Sequence, residues 1–176
     1  MERNDEISFY VEDVDYTPKK QTEEAVGYDL HATKVLKVYK GSVEVTGEKL
    51  EKVKESFEKR GSIKLRPHER MLFGTGVHPD LPNHLELQVR SRSGLALKTG
   101  LLVANSPGTI DPDYKGEIGV IILNSTPFLN EVKRYERIAQ VVPKKIDKVE
   151  VYYFPIKHKP TSTEGRGDKG FGSTGK

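Results

Sequence analysis

The chain has 176 residues, no cysteine, 31% charged residues and a mean hydropathy of −0.61, which suits one domain with a real core and excludes disulfides and thiol chemistry. Its longest apolar run, VIIL, is far short of the roughly 20 residues of a membrane span, and its start, MERNDEIS, carries no secretory signal, so we expect a cytoplasmic protein. The formal charge of +3 is too small for long nucleic acid, which makes a compact polyanion the expected charged ligand.

Short runs of β-branched, aliphatic and aromatic residues recur between turn signals and predict a mostly β protein. In chain order they are ISFYVEDV, SIKLRPHERMLFGTGV, HLELQVR, EIGVIILN, RIAQVVP and VEVYYFPI. Leu85, Leu87 and Val89 alternate with polar residues, as in a strand with one solvated face. The runs are separated by segments rich in Pro, Gly, Asn and Asp, which favours a sandwich or barrel over βαβ units.

One segment breaks this pattern. GEKLEKVKESFEKRG, from Gly47 to Gly61, is made of strong helix formers and predicts a helix of about three turns. Thr46 is the expected N-cap, and Gly61 suits the left-handed residue that ends a helix. The helix carries two i,i+4 ion pairs, Glu48–Lys52 and Glu55–Lys59, and a narrow apolar stripe, Leu50, Val53 and Phe57. We expect this stripe to pack on the body; the alternative is that it binds a partner protein.

Two polar clusters come next, in what we expect to be strand and turn contexts. In AVGYDLHA, Gly27 allows close backbone approach and Asp29 lies in an apolar frame, where it needs a partner. It either pairs with an arginine or holds the waters of a hydrated Mg²⁺. In SRSGLALKTG, Arg92, Ser93 and the Gly94 amide form a compact anion site, or Arg92 simply ends a surface strand.

The third cluster, NSPGTIDPDYKGE, is hairpin-like, and its exposed backbone could pair with the edge of a base. Asp111 could deprotonate a water beside a phosphate, and Tyr114 could pack against a sugar; the alternative is a plain turn. The histidines are scattered without metal-binding spacing and are interpreted as ordinary polar residues.

The tail EGRGDKGFGSTGK combines glycines, hydroxyls, Arg166 and Phe171. This mixture binds phosphate beside a flat ring, which predicts a nucleotide lid; the alternative is a floppy Gly/Ser terminus.

Taken in order, these segments resemble the five motifs of the trimeric dUTPase family over about residues 25–176. The first motif resembles AVGYDL, the second RSGLA from Arg92 and the third NSPGTIDPDYKGE. The fourth resembles ERIAQ from Glu136, and the fifth RGDKGFGSTG from Arg166.

The resemblance implies an all-β jelly roll (β-clip) body over 1–156 and a flexible arm over 157–176. Against the family pattern, the predicted helix at about 47–60 looks like an insertion at about 40–61. The resemblance also implies a homotrimer whose active sites are shared between chains and closed by the arm, in the cytoplasm of a bacterial, archaeal or phage host cell. The implied reaction is Mg²⁺-dependent hydrolysis of dUTP to dUMP and diphosphate, which limits uracil in DNA and supplies dUMP for dTMP synthesis.

The resemblance also implies roles for individual residues. Asp111 activates water, Tyr114 lies under the deoxyribose and excludes ribose, and Asp29 orders waters around Mg²⁺. Uracil is read by Asn105 and the backbone of Gly108, Thr109 and Ile110. The phosphates are contacted by Arg92, Ser93, Gly94 and Gln140. In the arm, Phe171 stacks on uracil, and the terminal phosphate is gripped by Arg166, Gly172, Ser173 and Thr174.

The chain departs from the family pattern in three places. Val26 replaces an alanine, Tyr135 replaces a glycine and puts the turn before ERIAQ in question, and the helix has no family role. Two rival functions remain. A dCTP deaminase needs a glutamate where GVIILN places Ile121, so that rival lacks its acid and base. A binding module would use the helix to contact a partner.

Overall fold

The computed structural model describes residues 6–147 and 149–156. Within them the chain forms strands and two α-helices, with a single-turn 3₁₀ helix at Val14–Tyr16. The strands are β1 Ser8–Val11, β2 Tyr28–His31, β3 Lys34–Lys40, β4 Val43–Val45, β5 Ser62–Leu65, β6 Arg70–Gly74, β7 Val77–Asp80, β8 Leu85–Ser91, β9 Leu101–Val103, β10 Gly108–Ile110, β11 Gly119–Asn124, β12 Asn130–Lys133 and β13 Arg137–Lys145; the helices are α1 Gly47–Arg60 and α2 Ser93–Thr99. None of the helices in these ranges is both long and apolar enough to cross a membrane.

Two larger antiparallel sheets enclose the core. One has the order β10-β8-β13-β2 and the other β4-β3-β6-β11-β9, while β1 pairs with β7 and β12 with β5. Leu87, Val89 and Val141 from the first sheet and Phe73 and Ile122 from the second belong to a single buried cluster. The alternation predicted for β8 is confirmed, because its apolar residues are buried and the polar residues between them are partly exposed. The expected all-β, jelly-roll-like fold is confirmed.

Helix α1 forms as predicted and packs on the body. Gly61 adopts the left-handed conformation with φ 70°, and both predicted ion pairs form, Glu48–Lys52 and Glu55–Lys59, at 2.7 Å each. Thr46 occupies the N-cap position, but its side chain makes no cap hydrogen bond.

The apolar stripe of α1 is used by the chain itself. Phe57 is fully buried, with its ring centroid 5.7 Å from that of Phe73, and Leu50 and Val53 pack against the same core. The expectation that the stripe packs on the body is therefore confirmed, and the outward residues of the helix are charged. Binding of a partner protein through Leu50, Val53 and Phe57 stays a prediction.

Two local expectations are wrong. SRSGLALKTG is not strand and turn throughout, since Ser93–Thr99 is helical and ends at Gly100, whose φ is 67°. VEVYYFPI forms no strand, because it finds no strand partner in the described part of the chain. Contacts between residues place the end of the first compact unit at Ile146. In the segment that follows, Val151, Tyr153 and Phe154 are exposed.

Candidate active site

Asp29 lies buried between two arginines at one end of the four-stranded sheet. Its carboxylate accepts a hydrogen bond from Arg92 Nε at 2.9 Å and another from Arg137 Nη1 at 3.1 Å. Arg92 Nη1 also donates to the Arg137 carbonyl at 2.8 Å. A buried carboxylate requires such partners, and two guanidinium groups around one carboxylate leave a net positive charge. The arginine-pairing alternative for Asp29 is therefore realised, and its contact with metal-bound water stays a prediction.

A bulge in β13 helps to aim Arg137. The pairing of β13 with β2 shifts between Arg137 and Ala139, so Arg137 faces His31 while Ala139 faces Leu30. Such an extra residue bends a strand and redirects its side chains. Arg137 reaches Asp29 from this bulge.

Gln140 joins the same end of the sheet. It pairs with Asp29 on one side and with Arg90 on the other, and its amide nitrogen donates to the Ser91 carbonyl at 3.2 Å. Gly27 lies against it, and a side chain at that position would force the Gln140 amide oxygen to move. This is the close backbone approach predicted for Gly27.

Helix α2 begins beside the arginines. Ser93 and Gly94 are exposed in its first turn, and a methyl group added at Gly94 would meet nothing within 4 Å. The structure thus brings Arg92, Ser93, Gly94 and Gln140 to one end of β8, with hydroxyl, amide and guanidinium donors. This donor set suits an anion with several oxygens, such as a phosphate chain. We call these four residues and Asp29 the donor cluster.

The hairpin over Asn105–Ile110 lies beside the other long edge of β8. A cis peptide bond joins Ser106 to Pro107, and β10 pairs with β8, Gly108 facing Val89 and Ile110 facing Leu87. A methyl group on Gly108 would lie 2.9 Å from Asn105 Nδ2, so the Asn105 side chain rests on this strand. β10 is the edge of its sheet, with Thr109 exposed, and can pair with another hydrogen-bonding edge.

Asp111 and Tyr114 follow β10. Asp111 is exposed, and its carbonyl accepts a hydrogen bond from the Tyr114 amide at 3.1 Å. Tyr114 is 41% exposed, and its hydroxyl donates to the Glu117 carbonyl at 2.6 Å. We call Asn105, Gly108–Asp111 and Tyr114 the hairpin cluster.

Asp111 and Arg92 lie toward opposite ends of β8 within one chain. Ile110 pairs with Leu87, so Asp111 follows near the start of β8, whereas Arg92 follows its end. From Leu87 to Arg92 is five residues, or about 17 Å along an antiparallel strand. The Arg92 side chain also extends toward Asp29 on β2, two strands beyond β8 in the sheet, on the side away from β10. Asp111 is therefore separated along β8 from the arginines at Asp29, whereas the start of the hairpin lies near them, since Ser91 N donates to Ser106 Oγ at 3.3 Å.

Comparison with known proteins identifies the family. The sequence model of the dUTPase family matches residues 59–175. A deoxyuridine 5'-triphosphate nucleotidohydrolase of Nautilia profundicola is 39% identical over 159 residues, 90% of each chain. That of a Hydrogenobaculum species is 50% identical over 113 residues, 64% of this chain and 76% of that protein. The chain belongs to the dUTPase family. A mutant dUTPase of Staphylococcus bacteriophage 80alpha, with dUpNHpp, has a similar fold, with TM-score 0.69 at 21% identity over 98% of this chain and 99% of that one.

The departure of this dUTPase from its family at Tyr135 is compensated within the chain. Tyr135 has φ 64°, the left-handed conformation that glycine adopts readily and that costs another residue roughly 1–2 kcal/mol. Its amide donates to Ala32 O at 2.6 Å. Its ring stacks on Tyr16, with centroids 3.9 Å apart and planes 6° from parallel, and the Arg134 guanidinium carbon lies 4.7 Å from its centroid. The turn before ERIAQ thus retains a backbone suited to glycine.

Some residues of this dUTPase near the donor cluster were missed from the sequence. Arg137 lies in the ERIAQ motif, but its partner Asp29 is distant in sequence and no local pattern joins them. His31 Nδ1 is buried with no hydrogen-bond partner among the described residues, and Tyr16 packs edge-on against the ring at 5.4 Å. Burial is the main cause that lowers the pKa of His31 below 6.5, although the Asp29 carboxylate opposes it.

Two further expectations about this dUTPase concern Val26 and the arm. Val26 is 67% exposed, so replacing the family alanine there disturbs little packing. The predicted arm residues lie outside the described part of the chain: Arg166, Phe171, Gly172, Ser173 and Thr174.

Proposed function

We propose that this chain hydrolyses dUTP to dUMP and diphosphate, and so limits uracil in DNA and supplies dUMP for dTMP synthesis. The observation that carries the proposal is the arrangement of groups along β8. Hydrogen-bond donors that suit phosphate oxygens lie at one end, and an exposed carboxylate beside an open strand edge lies at the other. The names of the two bacterial relatives support the same substrate.

The hairpin cluster would bind the nucleoside. The open edge of β10 and the Asn105 amide pair with uracil as a neighbouring strand would, and Tyr114 lies under the deoxyribose. Asp111 takes a proton from a water, whose oxygen forms a bond to the α-phosphorus while the bond to the bridging oxygen breaks and diphosphate leaves. Its exposure supports this role, because an exposed carboxylate is open to a water.

The donor cluster would bind the triphosphate. Arg92, Ser93, Gly94 and Gln140 supply hydrogen bonds that stabilise the charge on the phosphoryl oxygens as the bond breaks. In the proposal, Phe171 covers the uracil, and the terminal phosphate is gripped by the remaining arm residues, Arg166, Gly172, Ser173 and Thr174. The arm then excludes water and completes the set of donors.

The site would be completed between copies in a homotrimer. A general base acts within hydrogen-bond reach of the reacting group, or through one water, and the separation of about 17 Å along β8 between Asp111 and Arg92 of one chain supports a site that joins them across copies. Closed assemblies of identical chains allow this by placing one cluster beside that of a neighbour. The family resemblance supports three copies.

Mg²⁺ would enter with the triphosphate. The described residues hold no cluster of three or more His, Cys, Asp or Glu side chains that could ligate a metal directly. Asp29 has both oxygens in hydrogen bonds to arginine and 9% exposure of its side chain, so its remaining lone pairs can reach a metal only through water. The bound ion would neutralise phosphate charge.

The rival functions are less well supported. Ile121, at the place where a dCTP deaminase needs a glutamate, lies on β11 opposite Leu72 and has no acid to offer. The binding-module function has less support at its proposed contact, because the stripe of α1 packs against the core.

The test is diphosphate release from dUTP with Mg²⁺, compared with dCTP, dTTP and UTP and with an Asp111→Asn variant. We expect release from dUTP alone, abolished by the substitution. No release by the intact protein would refute the enzymatic function, and unchanged release by the variant would refute the role of Asp111.

A further inference from the structure

Two groups hold the carboxylate of Glu117 beside the hairpin cluster, the Gly76 amide and the Lys34 ammonium group. We call Glu117 and these two partners the socket. Its Oε1 accepts a hydrogen bond from the Gly76 amide at 2.7 Å, and its Oε2 lies 3.2 Å from Lys34 Nζ. Its side chain is only 16% exposed. A carboxylate held this way by a backbone amide and an ammonium group is well fixed in position.

Lys34 is shared between two carboxylates. Its Nζ lies 2.8 Å from both oxygens of Glu12 as well as near Glu117. Burial favours the neutral amine, but the hydrogen bonds to Glu12 and Glu117 outweigh it and raise the pKa of Lys34. The ammonium group is thus charged and bridges the segment after β1 to the end of the hairpin loop.

Gly74 makes room for the socket. It lies between Lys34 on β3 and Gly119 on β11 in the sheet. A methyl group at Gly74 would lie 2.6 Å from Glu117 Oε1 and 2.8 Å from Lys34 Cε, too close for either group to keep its place. The sheet therefore has a gap where the lysine and the carboxylate meet.

Glu117 in turn holds Tyr114. The Tyr114 hydroxyl donates to the Glu117 carbonyl, and its phenol end lies against Gly116, where an added methyl group would be 2.7 Å from Tyr114 Oη. The next amide, that of Ile118, donates to Val77 O at 2.8 Å. The position of the tyrosine ring is thus set by main chain that the socket and β7 fix.

We propose that Lys34 and Glu117 are positioning residues that fix Tyr114 and thereby set the discrimination between deoxyribose and ribose. This inference rests on the proposed function, in which Tyr114 lies under the sugar. Because its hydroxyl is bonded to the Glu117 carbonyl, the Tyr114 ring cannot move away to make room for a 2′-hydroxyl. When the socket is broken, the ring can move back, and the site admits the ribonucleotide.

The experiment compares kcat/KM for dUTP and for UTP in the intact enzyme and in Lys34→Met, Lys34→Arg and Glu117→Gln. We expect Lys34→Met and Glu117→Gln to lower the dUTP/UTP ratio by about tenfold, the scale of a small misplacement of a contact group. Lys34→Arg, which keeps the charge, should stay near the intact ratio. The matched control is Lys37→Met on the same strand, which breaks the ion pair to Glu44 at 3.4 Å and should leave the ratio unchanged.

Tyr114→Phe provides a second measurement, because it removes only the hydroxyl that bonds to Glu117 O. It should lower the ratio as Lys34→Met does, and the double variant should lower it no further. A lower melting temperature with an unchanged ratio in Lys34→Met and Glu117→Gln would show a structural role only and overturn the inference. Failure of the intact protein to hydrolyse dUTP would instead refute the proposed function, and this inference with it.

Discussion

Two variants that are each inactive alone should form active assemblies when their chains are mixed. Asp111→Asn removes the proposed base in the hairpin cluster, and Gly94→Asp places a negative charge in the donor cluster, where it repels phosphate. Both positions are exposed, and Gly94 has nothing within 4 Å of an added methyl group, so both variants should fold. In the proposed trimer, Asp111 and Arg92 lie about 17 Å apart along β8 of one chain, and each site draws Asp111 and Gly94 from different copies.

The fraction of activity that mixed assemblies recover follows from the number of intact sites in the proposed trimer. In a trimer that contains both variants, two copies carry one substitution and the third carries the other. Going round the ring, one of the three sites then combines an intact Asp111 with an intact Gly94. Mixed trimers should therefore show about a third of the activity of the intact enzyme per site, while each variant alone stays inactive.

The assay uses co-expression with a different affinity tag on each variant. Purification through both tags in turn retains only mixed assemblies, and diphosphate release from dUTP is then measured. The control carries both tags on Asp111→Asn chains. Mixed assemblies no more active than this control would refute the reasoning, since they would place Asp111 and Gly94 of one copy in the same site.

Four further predictions concern stability. Phe57→Ala should lower the free energy of unfolding by about 3–5 kcal/mol, because its fully buried ring packs on the core; a loss below about 1 kcal/mol in denaturant titration would mean that α1 is only a loose flap. Tyr135→Gly should change stability by no more than about 1 kcal/mol, since relief of the left-handed strain offsets the lost stack. Tyr16→Ala should lower the denaturation midpoint in the intact protein but less in the Tyr135→Gly background, and equal losses would contradict the stack. Burial lowers the pKa of folded His31 below 6.5, so the unfolded chain binds the proton more readily. The contribution of neutral His31 to the free energy of unfolding is therefore present in full above pH 6.5 and is lost as pH falls toward the folded pKa. Denaturation midpoints at several pH values should show this loss, and His31→Gln should remove that part of the pH dependence.

The elements that the sequence predicted well are those stabilised by local signals. The period-2 pattern of β8 and the capped, ion-paired helix α1 need no distant partner to be recognised. VHPD gives little strand signal, because Pro79 has no N–H to donate a hydrogen bond to a neighbouring strand. It nevertheless forms β7, which pairs with β1 in a two-stranded sheet. The opposite error occurred at VEVYYFPI, whose composition favours a strand but which has no partner strand among the described residues.

In the candidate site, too, the features with local sequence signals were predicted and those that depend on distant contacts were not. The motif segments were recognisable because glycine, proline and acid are close together in each, but the pairing of Asp29 with Arg92 and Arg137 spans a long stretch of chain and depends on strand order. The sequence left the partner of Asp29 open for this reason. The stack beneath Tyr135 could not be predicted either, because Tyr16 comes from a segment with no pattern that points to it.

The outward face of α1 gives the molecule an unusual handle for chemical labelling. The chain contains no cysteine, so a single one introduced at the exposed Glu58 would be the only thiol that a maleimide could react with. The opposite side of the helix is held by Phe57, and both clusters along β8 lie on other elements. A dye or a solid support attached there would leave every residue proposed to touch the nucleotide chemically unmodified.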